Sequence, residues 1–332
     1  MSKKVLHFRL DAPQYSSEFM RRGFIEAGYE YHGINWQQIK FDEGVFGFQA
    51  RAIEAAKQIE PDLIFIHIQS PEIIDPETCK ELSDIGFTIL FSFDVRDDIA
   101  WMKDLEPYLN MILVADGETT KQFPAGKSYV LQSSCDMDMY YPVIKEFNQG
   151  IYRRFSYDIS FIGSNYVNTN LNFPLAQERY DVMMELKNEY GDRFSCRGMN
   201  WANSEYIPPA KEREIYNASK IAICHNNFYR EGYTSDRIWR IMACGCFCLT
   251  KYFPGIEHIF ERGKHLDWWS DINELKLKIN HYLNNVEYIQ NISMEGYEFV
   301  RKNHNWKSRV KEIENLINKT YGTKPAAEHT MP

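Results

Sequence analysis

Tyr233-Thr-Ser-Asp-Arg-Ile-Trp-Arg-Ile-Met-Ala-Cys-Gly-Cys-Phe-Cys-Leu-Thr-Lys251 reads as a helix, a stop and a strand. Ser235 is a helix-capping residue type, and Asp236–Ala243 carries helical spacing. Gly245 suits the left-handed turn that ends a helix, and Cys246–Thr250 is an apolar run of strand length. A helix opening offers unpaired N–H groups and the positive end of a dipole, so it suits a diphosphate. Arg237 stands in the first turn, where a cation opposes the dipole and an anionic partner would account for it.

The same alternation runs through the chain. In the first half, strands at Val5–Leu10, Tyr29–Asn35, Asp62–Ile68, Phe87–Phe93, Asn110–Ala115 and Lys127–Gln132 accompany helices at Ser16–Ala27, Phe46–Gln58 and Pro76–Ile85. Residues 136–156 break the rhythm. Strands then follow at Tyr157–Gly163, Phe194–Arg197, Lys220–His225 and Lys264–Trp268, with helices at Pro174–Tyr190 and Ala210–Ala218. Three helices close the chain: Ile272–Leu283, Val286–Lys302 and Trp306–Thr320. Near-continuous apolar strands separated by helices predict parallel sheets covered on both faces. The expected class is α/β: two Rossmann-like doubly wound domains facing across a cleft, with a helical C-terminus. Residues 1–140 form the first domain, 141–156 a linker, 157–320 the second domain and 321–332 a disordered tail.

With 332 residues the chain suits two domains. Residues 1–145 carry 14 Lys and Arg against 23 Asp and Glu, whereas residues 146–332 carry 24 against 23. An acidic first half weakly disfavours a polyanionic partner there. No apolar run is long enough to span a bilayer, and the N-terminus lacks a leader pattern, so a cytoplasmic protein is expected. Seven cysteines without framework spacing argue against a disulfide scaffold. Cys244, Cys246 and Cys248 read as small buried hydrophobes and not as a metal comb.

Ser-Asp-Arg-Ile-Trp-Arg-Ile-Met-Ala-Cys-Gly245, Pro254-Gly-Ile-Glu257, Asp271-Ile-Asn-Glu-Leu275 and His304-Asn-Trp-Lys-Ser-Arg309 together resemble the glycosyl transferases group 1 superfamily, in its spore-maturation (CgeB-like) branch. Tyr157-Asp-Ile-Ser-Phe-Ile-Gly-Ser164 and Ser92-Phe-Asp-Val-Arg96 fit the same pattern. The resemblance implies a GT-B fold with a donor nucleotide held mainly by the second domain. It implies that Arg237 contacts the diphosphate and that Gly163, Ser164 and Asn165 line the same cleft. Asn200 and Trp201 fall where related enzymes hold the base, with Trp201 either stacking on it or simply packing. Asn226 and Asn227 sit at the strand end that faces donor phosphate or sugar. One departure stands out: the family's ribose-binding Glu is replaced by Arg240, whose guanidinium accepts no hydrogen bond. Either Asp236 takes over the ribose, or Arg240 makes another phosphate contact.

For the chemistry, an inverting transferase needs a base for the acceptor hydroxyl. Asp94, at the end of the strand Phe87–Phe93, is the first candidate, with Asp97 and Asp98 behind it as helix-capping residues. His67 lies near the end of its strand, where a lone His is more often a core residue. Asp11 follows the first strand, in a loop where Ser16 or Ser17 would cap the next helix. Asp136-Met-Asp138 spells a metal-binding Asp-x-Asp, but a three-residue match is weak, and no metal or other cofactor is expected. The expected substrate is a nucleotide-diphosphate sugar, UDP-linked, with hexosyl or pentosyl transfer to a glycan, small molecule, protein or modified DNA base. A non-catalytic nucleotide-sugar-binding protein and a sugar-nucleotide epimerase of the same fold are the alternatives.

Overall fold

The structure, a computed structural model, describes residues 2–11, 17–95, 97–143, 156–171, 173–202 and 206–322. The expectations for Ser16, for Arg96, for most of the linker and for the tail beyond residue 322 lie outside these residues. Contacts divide the chain into two units. The first takes residues up to Val114, Thr120–Leu131 and the last helix from Trp306, while the second takes Ala115–Thr119 and Gln132–Asn305.

In the first unit β1 (Lys4–Arg9), α1 (Glu18–Glu26), β2 (Glu30–Asn35), α2 (Trp36–Ile59), β3 (Leu63–His67), α3 (Pro76–Ile85), β4 (Phe87–Ser92), α4 (Ala100–Leu105) and β5 (Met111–Val114) follow in turn. A one-turn helix α5 (Gly117–Thr120), whose residues up to Thr119 belong to the second unit, precedes β6 (Ser128–Val130). The sheet order is β2-β1-β3-β4-β5-β6, and all pairings are parallel. Alternate residues of each strand feed two cores, as the pleat requires. Leu6, Phe8, Ile64, Ile66 and Leu90 face one, while Val5, Phe65, Ile89 and Phe91 face the other.

The second unit contains β7 (Tyr157–Ile162), α6 (Ala176–Tyr190), β8 (Phe194–Arg197), α7 (Pro209–Asn217), β9 (Ser219–Cys224), α8 (Asp236–Ala243), β10 (Phe247–Lys251), β11 (Asp267–Trp269), α9 (Ile272–Leu283) and α10 (Val286–Asn303). Its parallel sheet runs β11-β10-β9-β7-β8. Cys224, Cys246 and Cys248 share one buried face, which accounts for the alternating cysteines as packing residues.

α11 (Trp306–Tyr321) departs from the expected division, in which it closed the second domain. Trp306, Val310 and Ile313 are buried among Met20, Phe24 and Phe65 of the first unit. Gly23 makes this fit possible, because a Cβ there would lie 2.6 Å from Cδ1 of Trp306. Three local expectations also change. α2 begins at Trp36 and not Phe46, since Asn35 caps it by accepting from the Gln38 N–H at 3.2 Å; left-handed Gly44 interrupts it. α6 starts at Ala176, after Pro174 and not on it. Residues 263–265 form a turn closed by the Gly263 N–H to Leu266 carbonyl bond (2.8 Å), and Leu266 makes only an isolated bridge to Arg262, so β11 starts at Asp267.

Candidate functional site

In the second unit the strand order reverses between β7 and β9, so the chains leaving these strands diverge and open a crevice at their carboxyl ends. A pocket of about 190 Å³ lies there. Gly163, Ser164 and Tyr166 line it from β7, Gly198 and Met199 from β8, and Asn227 from β9. Tyr206, Ile207 and Glu212 supply another wall, and Asp236, Arg237 and Arg240 of α8 complete it.

Arg237 is fastened to the sheet. Its Nε donates to the Ile162 carbonyl at 2.6 Å, one terminal nitrogen donates to the His225 carbonyl at 3.4 Å, and the group stacks over Phe161. Gly163 is required here, since a Cβ would come within 2.8 Å of the Arg237 guanidinium. Arg179 of α6 lies alongside, 2% exposed, bonded to the carbonyls of Ser164 and His225. Burial, and then the charge of Arg237, lower its pKa. No carboxylate lies within ion-pair distance of either guanidinium among the described residues. Glu178, adjacent in sequence, pairs instead with Lys251. Its pKa falls to about 2 through the nearby His225 ring (3.8 Å) first, then Lys251.

Arg240 is different. It pairs with Asp236 at 2.5 Å and with Glu212 at 3.2 Å, and it packs over Tyr140. Glu212, 6% exposed, also accepts from the hydroxyls of Tyr140 (2.6 Å) and Tyr216 (3.0 Å). The charge of Arg240 is therefore neutralised within the protein, and Asp236 is engaged by it.

Other expected donor residues have structural roles. Ser235 occupies the N-cap position, but its side chain makes no cap hydrogen bond, which corrects the capping expectation. Gly245 is left-handed (φ 61) and ends α8 at the end opposite Arg237. Asn165 and Asn200 bond each other's carbonyls at 3.2 and 3.0 Å, tying the loops after β7 and β8. Trp201 is 8% exposed, stacks on Tyr180 and donates to the Gly163 carbonyl at 2.6 Å, so it packs and offers no open face to a base. Asn226 is buried, and its carbonyl accepts from His225 Nδ1 at 2.8 Å.

The sequence reading missed Arg179 and Glu212. The signal for Arg179 was present: Ala176, Arg179, Val182, Met183 and Leu186 form the buried stripe of α6. An arginine on an apolar stripe calls for a partner.

In the first unit, Asp11, His67 and Asp94 stand at or just past the carboxyl ends of β1, β3 and β4. Asp11 accepts from the Ser17 N–H at 2.6 Å and pairs with Arg9 at 2.7 Å. The Ser17 hydroxyl turns back to the Leu10 carbonyl and caps nothing. His67 is fully buried, stacked on His7 at 5.9 Å, and burial lowers its pKa to about 3, features of a core residue. Asp94 is half-buried, with its N–H donated to Gln69 Oε1 at 3.1 Å. Asp98 accepts from the Ala100 N–H at the start of α4. The Asp136 carboxylate is used locally, accepting from the Asp138 N–H at 3.0 Å. No helix among the described residues is long and apolar enough to cross a membrane.

Residues 179–315 match the family model described as glycosyl transferase-like. No curated protein sequence matches the chain. Among solved structures, sucrose-phosphate synthase from Thermosynechococcus elongatus superposes with a TM-score of 0.61 at 12% identity, over 97% of this chain and 100% of that one. Anabaena HepE in complex with UDP and glucose gives a TM-score of 0.62 at 9% identity, over 96% and 100%. A trehalose-6-phosphate synthase, studied for glycosyl transfer with retention, gives 0.60 at 9% identity, over 95% and 99%. The two parallel-sheet units thus have the GT-B fold, and the matched segment supports the glycosyltransferase group 1 superfamily and glycosyl transfer as the activity.

Proposed function

We propose that the chain transfers a hexosyl or pentosyl group from a UDP-linked donor to an acceptor hydroxyl, as a member of the spore-maturation branch. The observation that carries this reading is the buried Arg179 beside the half-buried Arg237 at the β7/β9 crevice, neither of them ion-paired with a carboxylate among the described residues. Two such charges are costly unless an anion joins them, and a diphosphate supplies that anion. The open first turn of α8 adds backbone N–H groups of the same polarity. The UDP held by HepE supports the choice of nucleotide.

In the reaction, the acceptor oxygen bonds to the anomeric carbon while the bond from that carbon to the β-phosphate oxygen breaks. The electron pair leaves with the diphosphate, whose growing charge Arg179, Arg237 and the α8 amides stabilise, so the step does not depend on a metal ion. The acceptor proton passes to a base, for which Asp94 is the candidate. Calorimetric titration with UDP tests the reading: binding should be measurable, and Asp94→Asn should lower turnover while leaving UDP affinity unchanged. Absence of binding by UDP and by every other nucleoside diphosphate would sink it.

A further inference from the structure

A cavity of about 830 Å³ lies within the first unit, between the loop after β3 and the segment Asp98–Tyr108. That volume suits a small organic ligand. Ile74, Trp101, Leu105 and Tyr108 provide apolar and aromatic walls. Glu72, Asp75, Asp98 and Asp104 also line it, and no Lys or Arg among the described residues does.

These carboxylates are not equivalent. Asp75 serves the start of α3, accepting from the Thr78 N–H at 2.7 Å, and Asp98 accepts from the Ala100 N–H at 3.0 Å. Glu72 and Asp104 are exposed and make no hydrogen bond or ion pair with a described residue. Glu72 is moreover held at φ 66, a conformation costly for a residue with a side chain.

Gln69 is the independent observation. It lines the cavity and is only 8% exposed. Its Oε1 accepts from the Ser92 hydroxyl (3.0 Å) and the Asp94 N–H (3.1 Å), which fixes the amide orientation. Its Nε2 is buried with no acceptor. A buried amide N–H without a partner is destabilising, and an oxygen brought by a ligand would satisfy it.

We propose that this cavity binds a hydroxylated, amine-bearing ring compound of the free amino-sugar class, and that such a compound is the acceptor. The acceptor role rests on the transferase reading above; the binding does not. The ammonium group meets Glu72 and Asp104 and can lie over the face of Trp101 or Tyr108. The apolar face of the sugar ring packs on the aromatic wall, and a hydroxyl oxygen accepts from Gln69. Four carboxylates exclude an anionic acceptor, and an N-acetylated one loses the charge that they select.

The test titrates the full chain at pH 6 with a glucosamine trisaccharide and, separately, with its fully N-acetylated counterpart. The free-amine compound should bind, the acetylated one at least about tenfold more weakly, with the difference shrinking at high salt. The double variant Glu72→Gln, Asp104→Asn, at exposed positions, should weaken free-amine binding about threefold to tenfold. Equal binding of the two trisaccharides, no binding of the free amine, or an unaffected double variant would each overturn the inference. UDP titration of the same samples separates the two readings. UDP binding without trisaccharide binding sinks this inference alone, whereas trisaccharide binding without nucleotide binding removes the transferase reading and leaves the amine site standing.

Discussion

Arg179 and Arg237 donate to the same carbonyl oxygen, that of His225, at 3.5 and 3.4 Å. Both also stack over the ring of Phe161, at 5.8 and 5.5 Å. Two like charges so placed repel, and burial sharpens the repulsion. Arg237→Ala is expected to lower UDP affinity about 10- to 100-fold, the worth of a charge-assisted hydrogen bond. Arg179→Met removes the repulsion, so the melting temperature without ligand should hold or rise while the UDP-induced increase shrinks. Calorimetry with and without UDP checks both. Unchanged UDP affinity in the two variants would remove the pair as an anion site.

Gly198 has φ 133, and a Cβ there would lie 2.3 Å from the Gly163 carbonyl oxygen. Gly198→Ala should cost about 1–3 kcal/mol of stability in chemical denaturation. Gly163→Ala pushes instead on the Arg237 guanidinium. It should weaken UDP binding more than it lowers the denaturation midpoint, and the opposite ranking would contradict this assignment.

His67 sets an acid limit. Burial lowers its pKa to about 3, so the folded chain keeps it neutral while the unfolded chain takes up a proton below about 6.5. The stability tied to it is complete above pH 6.5 and is lost as pH falls towards 3, by about 1.4 kcal/mol per unit. His7, also buried with a lowered pKa, acts in the same sense. His67→Leu should flatten the acid side of a melting-temperature curve; a slope equal to that of the unaltered chain would show that the ring is not the titrating group.

Ending the chain at Asn305 should unfold or loosen the first unit. Trp306, Val310 and Ile313 are at most 3% exposed, and each contributes about 1.5–3 kcal/mol by burial. Hydrogen exchange on β1 and β3 reads the effect. Protection equal to that of the full chain would show that α11 does not complete this core.

The legible part of the site was local. α8 runs over Asp236–Ala243, as its periodicity predicts, and Gly245 ends it. Gly163, Ser164, Asp236, Arg237 and Arg240 all line the pocket. Trp201 was ambiguous because an aromatic after a strand can stack on a ligand or on Tyr180, and only packing decides. Glu212 was missed because the buried face of its helix shows only once it is packed on the sheet, whereas Arg179 stood on an apolar stripe that the spacing of α6 already displays.

The sequence by itself determined the alternation of strands and helices, and with it two parallel sheets, because hydrophobic periodicity and glycine stops act over a few residues. It could not say which charges are compensated. That depended on tertiary structure, since Arg240 meets Glu212 across 28 residues while Arg179 and Arg237 meet carbonyls and the Phe161 ring and, among the described residues, no paired carboxylate. The place of α11 was decided in the same way: its apolar face is visible in the sequence, but only packing shows that the face belongs to α1.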